Sequence, residues 1–250
     1  MGHRRPILAS VLRSAAVSAT VWRAGAAPRV SVPGRCLKLK ELCAGYAGIT
    51  RAWLSIGLAA CEPVEVYEDP HAKQGYRRTH DLTCKDVQEI HLAGAADTNG
   101  SSENIGWLAM PCTSFSDWGL KNGGTRTFDQ PQGGADGRPL TATEATGNIL
   151  AEFGAKYFKT MLAAGKFPIA ESSAPSGRYP KIWDLKAWSS ILARTDVEHR
   201  DFPMCGFGLG PPDVPNEFYV HRTRIAVRKT PGFWETWLRY CPGVSDEHRH

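Results

Sequence analysis

Residues 105–119 read IGWLAMPCTSFSDWG, and the rest of the predicted fold can be worked out from this stretch. Its first six residues are an apolar run that predicts a buried strand, and Pro111 and Cys112 follow it directly. A cysteine that served only for packing would lie inside the run. The position of Cys112 just past the strand end makes it a candidate nucleophile, with an inert thiol as the alternative.

Strand-like and helix-like segments alternate along the chain, which predicts an α/β fold with a mostly parallel sheet and helices on both faces. Helices are predicted at 49–60, with Trp53 and Leu54 facing the sheet, and at 183–194. The last two predicted strands form an antiparallel closing hairpin. In chain order, the predicted strands are 37–43, 64–67, a third that ends near 79–83, 105–110, 167–170, 204–207 and 223–227.

A long helix is predicted after the strand at 105–110. Thr141 and Glu144 have the spacing of a capping box at its start, and Gly165 ends it. Its buried face is predicted from helical spacing and comprises Ile149, Leu150, Phe153, Tyr157 and Met161. Residues 119–139 contain six glycines and no apolar periodicity, which predicts a mobile loop immediately after Cys112.

Candidate ligand-binding residues follow the carboxyl ends of the predicted strands, the edge where open α/β sheets bind ligands. Glu68 lies about 20 residues after the first glycine turn, the interval at which a carboxylate meets a ribose in dinucleotide-binding folds. Taken alone, Glu68 could instead be a solvated strand end, and Asp81 and Glu171 could be caps. The glycines could belong to an ordinary strand–helix turn that binds no ligand. Together the candidate residues predict a nucleoside cofactor beside a nucleophilic cysteine. In chain order they are Gly45, Gly48, Glu68, Asp69, Asp81, Cys112 and Glu171.

The amino-terminal segment differs from the rest in charge. Residues 1–40 contain no acidic residue, and removing the five arginines of 1–34 would take the formal net charge from +5 to about zero. Such an Arg-, Ala- and Ser-rich segment indicates either an organelle transit peptide or a disordered extension. The predicted organisation is this leader, a folded domain over 35–230 and a tail over 231–250. The expected location is a mitochondrion, a plastid or the nucleus.

The cysteines and apolar runs exclude several classes of protein. Seven cysteines without a CxxC pair indicate a reducing, intracellular compartment and no disulfide framework. Cys241, His248 and His250 in the tail match no standard zinc spacing, so no metal site is predicted. No apolar run approaches the ~20 residues that would span a bilayer, so no membrane association is expected.

Taken in order, the motifs resemble those of the DNA cytosine-5 methyltransferases, which use S-adenosylmethionine. The resemblance covers roughly residues 36–228 and is most specific at the Pro-Cys loop. The matching segments are LCAGYAG (42–48), VYEDPHA (66–72), THDLT (79–83), PCTSFSDWG (111–119), AESSAPSGRYPKIW (170–183) and HRTRIAV (221–227).

The resemblance implies a Rossmann-like methyltransferase fold and a role for each catalytic residue. Cys112 would add to carbon 6 of a cytosine flipped out of duplex DNA, and Glu171 would act as the acid near ring nitrogen 3. Arg222 and Arg224 would hold the base carbonyl. Pro111 would fix the approach of the thiol, and the loop 119–138 would close over the base.

The resemblance also implies a pocket for S-adenosylmethionine. In that pocket Glu68 would bind the ribose and Asp81 would lie near the adenine amine. Pro111 would lie beside the pocket. The remaining cofactor-binding residues would be Cys43, Ala44, Gly45, Gly48 and Asp69.

The chain departs from the family pattern at several positions. Cys43 takes the place of an aromatic residue that packs on the adenine, and Ser172 replaces an amide that anchors the nucleophile loop. Too few residues follow position 228 for a target-recognition domain and the final cofactor motif. The chain is therefore expected to be a compact or truncated monomeric member, or one module of a larger polyprotein. RNA is a less favoured substrate than DNA, and a non-catalytic binding module is a further alternative.

Overall fold

The computed structural model describes residues 37–70, 72–99, 103–203 and 222–236 of the chain. The predicted leader, the predicted strand at 204–207 and most of the tail lie outside these residues. The described strands are β1 (Lys38–Leu42), β2 (Ala59–Ala60), β3 (Tyr67–Asp69), β4 (Gln74–Tyr76), β5 (Ile105–Ala109), β6 (Phe167–Ser173), β7 (Val197–Pro203) and β8 (Arg222–Arg228). The described helices are α1 (Gly48–Ser55), α2 (Lys85–Ala96), α3 (Asp117–Lys121), α4 (Ala142–Ala163) and α5 (Lys186–Leu192).

Six of these strands form one sheet in the order β2-β1-β5-β6-β8-β7. The pairs from β2 to β6 are parallel, and β8 pairs antiparallel with both β6 and β7. Strand β8 is therefore the one strand of this sheet that runs against the others. The predicted α/β class with a mostly parallel sheet is confirmed, and the arrangement is compatible with a Rossmann-like fold. The sheet also has an antiparallel pair at its edge, but the partner of β8 there is β7, whereas the predicted partner, 204–207, lies outside the described residues.

Helices cover both faces of the sheet and bury two apolar clusters. On one face, Trp53 of α1 packs among side chains of the central strands such as Trp107. On the other face, Met161 of α4 and Trp188 of α5 pack against the sheet. Gly106 in β5 is required for this contact, because a Cβ atom there would lie 2.4 Å from the sulfur of Met161.

The long helix α4 begins with the predicted capping box. The Thr141 hydroxyl accepts a hydrogen bond from the backbone amide of Glu144, and the Glu144 carboxylate accepts one from the amide of Thr141. Phe153 and Tyr157 are buried as predicted. The prediction for Ile149 is wrong, since its side chain is 41% exposed at the edge of the apolar stripe.

Two local predictions near the first strands are also wrong. Helix α1 ends at Ser55 and residues 59–60 form β2, because Gly57 adopts a positive φ of 80° that terminates the helix. Leu54 is 53% exposed and faces away from the sheet that Trp53 packs against. In the part of the chain that the structure describes, no helix is both long and apolar enough to cross a bilayer.

Candidate active site

The carboxyl ends of β1, β5 and β6 lie side by side, because these three strands are neighbours and parallel. The glycine turn 43–48 follows β1, and Cys112 follows β5. Glu171 lies near the end of β6, directly opposite Ala109. The sheet therefore brings the first glycine motif, the cysteine and the glutamate to one edge, as the sequence predicted.

The first glycine turn exposes its backbone. Gly45 has a positive φ of 52°, and a Cβ atom on Gly45 or Gly48 would contact no other heavy atom within 4 Å. Cys43 and Ala47 also have positive φ values, of 55° and 54°. Ala44 anchors the turn, because its amide donates a hydrogen bond to the carbonyl oxygen of Val64 at 3.0 Å. The open space beside both glycines allows a ligand to approach the backbone.

Glu65, which the sequence analysis missed, lies directly at this turn. Its carboxylate accepts hydrogen bonds from the amides of Gly45 at 2.9 Å and Val66 at 3.0 Å. The preceding residue, Val64, forms an isolated parallel bridge with Leu42 of β1. Glu65 thus stands at the strand end that the sequence analysis assigned to Glu68.

Glu68 and Asp69 lie in the hairpin formed by β3 and β4 instead of at the end of a sheet strand. Both side chains are exposed, and a Cβ atom at Gly75 would lie 2.8 Å from that of Glu68. Asp69 still reaches the glycine turn, because its carboxylate accepts a hydrogen bond from the Tyr46 hydroxyl at 3.4 Å. The predicted position of both acids, at the end of a strand of the main sheet, is therefore wrong.

Asp81 follows a short 3-10 turn, Arg78–His80, and not a third strand of the sheet. Its carboxylate accepts hydrogen bonds from the Thr83 hydroxyl at 2.6 Å, the Thr83 amide at 2.9 Å and the Tyr76 hydroxyl at 2.7 Å. Burial opposes ionisation of Asp81, but these hydrogen bonds outweigh it and lower its pKa. Asp81 is therefore a charged acceptor held in place by its neighbours.

Cys112 is a partly exposed free thiol on an ordered turn. Its carbonyl oxygen accepts a hydrogen bond from the Phe115 amide at 2.9 Å, which closes the 3-10 turn Thr113–Phe115. Pro111 before it is also partly exposed. In the first glycine turn, burial and the nearby Glu65 carboxylate raise the pKa of the Cys43 thiol to about 12.

Glu171 carries a perturbed carboxyl group. Burial raises its pKa to about 7, so a large fraction of the group is protonated near neutral pH. Strand β6 continues to Ser173, three residues beyond the predicted end at Ala170, so Glu171 lies within the strand. The Ser172 hydroxyl donates a hydrogen bond to the Met110 carbonyl oxygen at 3.3 Å, so a serine anchors the segment before Cys112.

The two arginines of β8 that the resemblance assigns to base binding, Arg222 and Arg224, are less favourably placed. Arg224 forms a two-pronged ion pair with Asp201 of β7, with Nε–Oδ1 at 2.7 Å and Nη2–Oδ2 at 3.1 Å. It pairs with Ser172 across the ladder, whereas Glu171 pairs with Ile225. Paired residues point to the same face of a sheet and successive ones to opposite faces. The structure therefore does not bring Arg224 and Glu171 to one face.

Arg222 shares the face of Arg224, two residues away along β8, and its side chain is exposed. Its carbonyl oxygen accepts a hydrogen bond from the Ala174 amide at 2.8 Å. The backbone of Arg222 thus extends the pairing of β6 and β8 past the end of β6. Its guanidinium, like that of Arg224, is not on the side of the sheet that carries Glu171.

The glycine-rich loop is anchored at its middle. The Glu144 carboxylate accepts hydrogen bonds from the Thr125 amide at 2.6 Å and the Thr125 hydroxyl at 2.9 Å. The next residue, Arg126, is 3% exposed, and burial lowers its pKa to about 10. Helix α3 overlaps the start of the loop, and a 3-10 turn lies within it at Ala135–Gly137. The prediction of a mobile loop missed these contacts, which join segments distant in sequence.

Within the ranges 37–70, 72–99, 103–203 and 222–236, no group of three or more His, Cys, Asp or Glu residues is placed to hold a metal ion. Cys241, His248 and His250 lie outside these ranges.

Comparison with models of protein families gives no match for this chain. Comparison with curated proteins likewise finds no similar sequence. The functional conclusion therefore depends on the residues and their geometry.

Proposed function

We propose that the chain is an S-adenosylmethionine-dependent methyltransferase domain that methylates carbon 5 of cytosine in DNA. The observation that carries the proposal is the juxtaposition of Cys112 and Glu171 at adjacent strand ends, linked by the hydrogen bond from the Met110 amide to the Glu171 carbonyl oxygen. A thiol and a protonated carboxyl group are the two side chains that addition to a pyrimidine ring requires. The single reversed strand near the sheet edge agrees with the fold that the resemblance implies.

The residues have complementary roles in this reaction. The Cys112 thiolate adds to carbon 6 while Glu171 supplies a proton at ring nitrogen 3, and electron density moves to carbon 5. After carbon 5 has gained the methyl group, its proton leaves to solvent base, the thiolate of Cys112 is eliminated, and ring nitrogen 3 returns its proton to Glu171. Flipping the cytosine out of the duplex costs a few kcal/mol. S-adenosylmethionine, when bound, supplies the methyl group from its sulfonium.

The edge beside β1 fits a nucleoside cofactor. Gly45 and Gly48 leave space against the backbone, and Glu65 stands at the turn with oxygens that suit ribose hydroxyls. Asp81, which accepts a hydrogen bond from the Tyr76 hydroxyl, remains an acceptor for an adenine amine. In this proposal Glu65 takes the ribose contact in place of Glu68.

A non-catalytic binding module is the second candidate. The observation that favours it is the ion pair of Arg224 with Asp201, on the face opposite Glu171. In that arrangement the guanidinium does not reach a base held by Cys112 and Glu171. Such a module would retain the cofactor pocket and bind nucleic acid without turnover.

The test is incubation of the full chain with methyl-labelled S-adenosylmethionine and cytosine-containing duplex DNA. We expect label on carbon 5 of cytosine and none with Cys112→Ser, whereas Cys61→Ser, which changes a partly buried thiol beside Lys38 and Glu103 and away from the site, leaves transfer intact. Label that survives Cys112→Ser would contradict the role of Cys112.

A parallel incubation with structured RNA separates the substrate classes. Transfer to RNA alone would replace DNA as the substrate. Calorimetry with the cofactor then distinguishes the second candidate, because binding without turnover on either nucleic acid is the behaviour of a module.

A further inference from the structure

The guanidinium of Arg126 lies buried between the turn that follows Cys112 and the first turns of α4. Its Nε donates to the Ser114 carbonyl oxygen at 2.9 Å, and its Nη2 lies 3.2 Å from the Ser114 hydroxyl. The same Nη2 donates to the Glu144 carbonyl oxygen at 3.1 Å, and Nη1 donates to the Asn148 side-chain oxygen at 2.9 Å. Every nitrogen of the guanidinium therefore binds an acceptor.

The same group packs on the aromatic ring of this turn. The Arg126 Cζ atom lies 3.8 Å from the centroid of the Phe115 ring, and Phe115 is 1% exposed. The amide of Phe115 in turn donates to the Cys112 carbonyl oxygen. Arg126 thus contacts two residues of the turn that begins at Cys112, without a recorded contact to Cys112 itself.

Close packing leaves this turn little freedom. A Cβ atom at Gly147 of α4 would lie 2.3 Å from the Ser114 hydroxyl oxygen. Two residues before Arg126 in the chain, a Cβ atom at Gly124 would lie 2.8 Å from the Tyr179 hydroxyl oxygen. Tyr179 belongs to the segment that follows Glu171 in the chain. Residues 124–126 therefore touch the segments that follow both β5 and β6.

We propose that Arg126 is a positioning residue that fixes the Cys112 backbone, and with it the thiol, through Ser114 and Phe115. The inference rests on the proposed function for its catalytic meaning, but the contacts stand without it. A lysine cannot replace this group, because a single ammonium lacks the planar fork that binds several acceptors and stacks on a ring.

The first test uses alkylation of Cys112 by iodoacetamide, followed by peptide mass spectrometry. In Arg126→Lys, the loosened turn should expose the Cys112 thiol. The ratio of the Cys112 alkylation rate to the Cys84 alkylation rate in the same chain should therefore rise. Arg138→Lys, an exposed arginine of the same loop, is the matched control and should leave the ratio unchanged. An unchanged ratio in Arg126→Lys would overturn the proposal.

The second test is kinetic and separates positioning from folding. For a misplacement on the order of 1 Å, kcat for methyl transfer should fall about a hundredfold in Arg126→Lys while KM for DNA stays within about twofold. A rise in KM with unchanged kcat would contradict positioning of the nucleophile. If Arg126→Lys fails to fold, Ser114→Ala removes one acceptor and should show the same kcat loss in smaller degree; unchanged kcat and Cys112 alkylation in that variant would overturn the proposal.

Alkylation of Cys112 needs no catalytic turnover, so it tests the positioning role of Arg126 separately from the proposed methyltransferase function. If the unaltered chain transfers no methyl group but its Cys112 alkylation depends on Arg126, the proposed function fails and the positioning role remains.

Discussion

The backbone amide of Met110 donates a hydrogen bond to the Glu171 carbonyl oxygen at 2.9 Å, one residue past the end of β5. The Ser172 hydroxyl donates to the Met110 carbonyl oxygen from the other side. Met110 is therefore held at both backbone polar groups by β6. Cys112 lies two residues further on, so the position of the thiol is tied to the strand that carries the acid.

The kcat of the proposed reaction should fall at high pH as Glu171 loses its proton. Burial raises its pKa to about 7, and the proton that it donates is present only below that pH. We expect kcat to fall about tenfold per pH unit above this value, and Glu171→Gln to lower kcat by about 10²–10⁴-fold. The measurement is kcat from pH 5.5 to 9, and a fall that persists in Glu171→Gln would assign it to another group.

The same carboxyl group should make stability depend on pH. Its folded pKa is above the ordinary value of 4.5, so its stabilising contribution is present below pH 4.5 and is lost as pH rises through about 7. Relative to the unaltered chain, Glu171→Gln should therefore gain stability across this window, by at most about 3 kcal/mol. Urea unfolding at several pH values measures the gain, and Glu152→Gln, an exposed glutamate of α4, should show none.

The contribution of Glu144 to stability should depend on pH with the opposite sign to that of Glu171. Burial raises its pKa, but hydrogen bonds from Thr141 and Thr125 outweigh burial and hold it below the ordinary value. Its contribution is present above pH 4.5 and is lost as pH falls through its folded pKa. Glu144→Gln should cost about 2–3 kcal/mol of unfolding free energy at pH 7. The cost should shrink in acid, and a loss that does not depend on pH would contradict a charged acceptor.

Gly147 should tolerate no side chain. The Cβ atom of Gly147→Ala would overlap the Ser114 hydroxyl, and overpacking of this kind costs about 1–3 kcal/mol. Gly48→Ala is the matched control, because that Cβ atom would meet nothing within 4 Å. Thermal unfolding of both variants measures the difference. Equal midpoints would show that the turn after Cys112 can move away from α4.

The Arg224–Asp201 pair should be measurable by a double-mutant cycle. Both side chains are about one-fifth exposed or less, and the pair has two hydrogen bonds. We expect Arg224→Met and Asp201→Asn to be coupled by about 1–3 kcal/mol in unfolding free energy, more than an exposed pair gives. The exposed pair Arg194–Asp196 is the control. Coupling near zero would indicate that Arg224 is free for another partner in solution.

The elements that the sequence predicted well have strong local signals. Strand β5 is an apolar run, and α4 has a capping box and a helical stripe, so local rules suffice for both. Strand β7 was missed because its sequence, VEHRDFP, is mostly polar, as suits an edge strand.

The errors around the site come from contacts between distant residues. Glu65 follows a single bridge at Val64, which is too short to be recognised as a strand in the sequence. Glu68 and Asp69 end strand β3 of a separate hairpin, so the sequence there resembles the end of a strand in the main sheet. The anchoring of Arg126 depends on acceptors in α4 and in the turn after Cys112, which no spacing rule could connect.

The anchored loop has a consequence for how any ligand associates beside Cys112. Ordering a flexible segment costs about 1–2 kcal/mol per residue in backbone entropy, and residues 124–126 have already lost that freedom in the folded chain. These residues therefore need no further ordering on association. Ligand capture should therefore resemble docking onto a preorganised surface, with a smaller heat-capacity change than coupled folding of the whole loop would give.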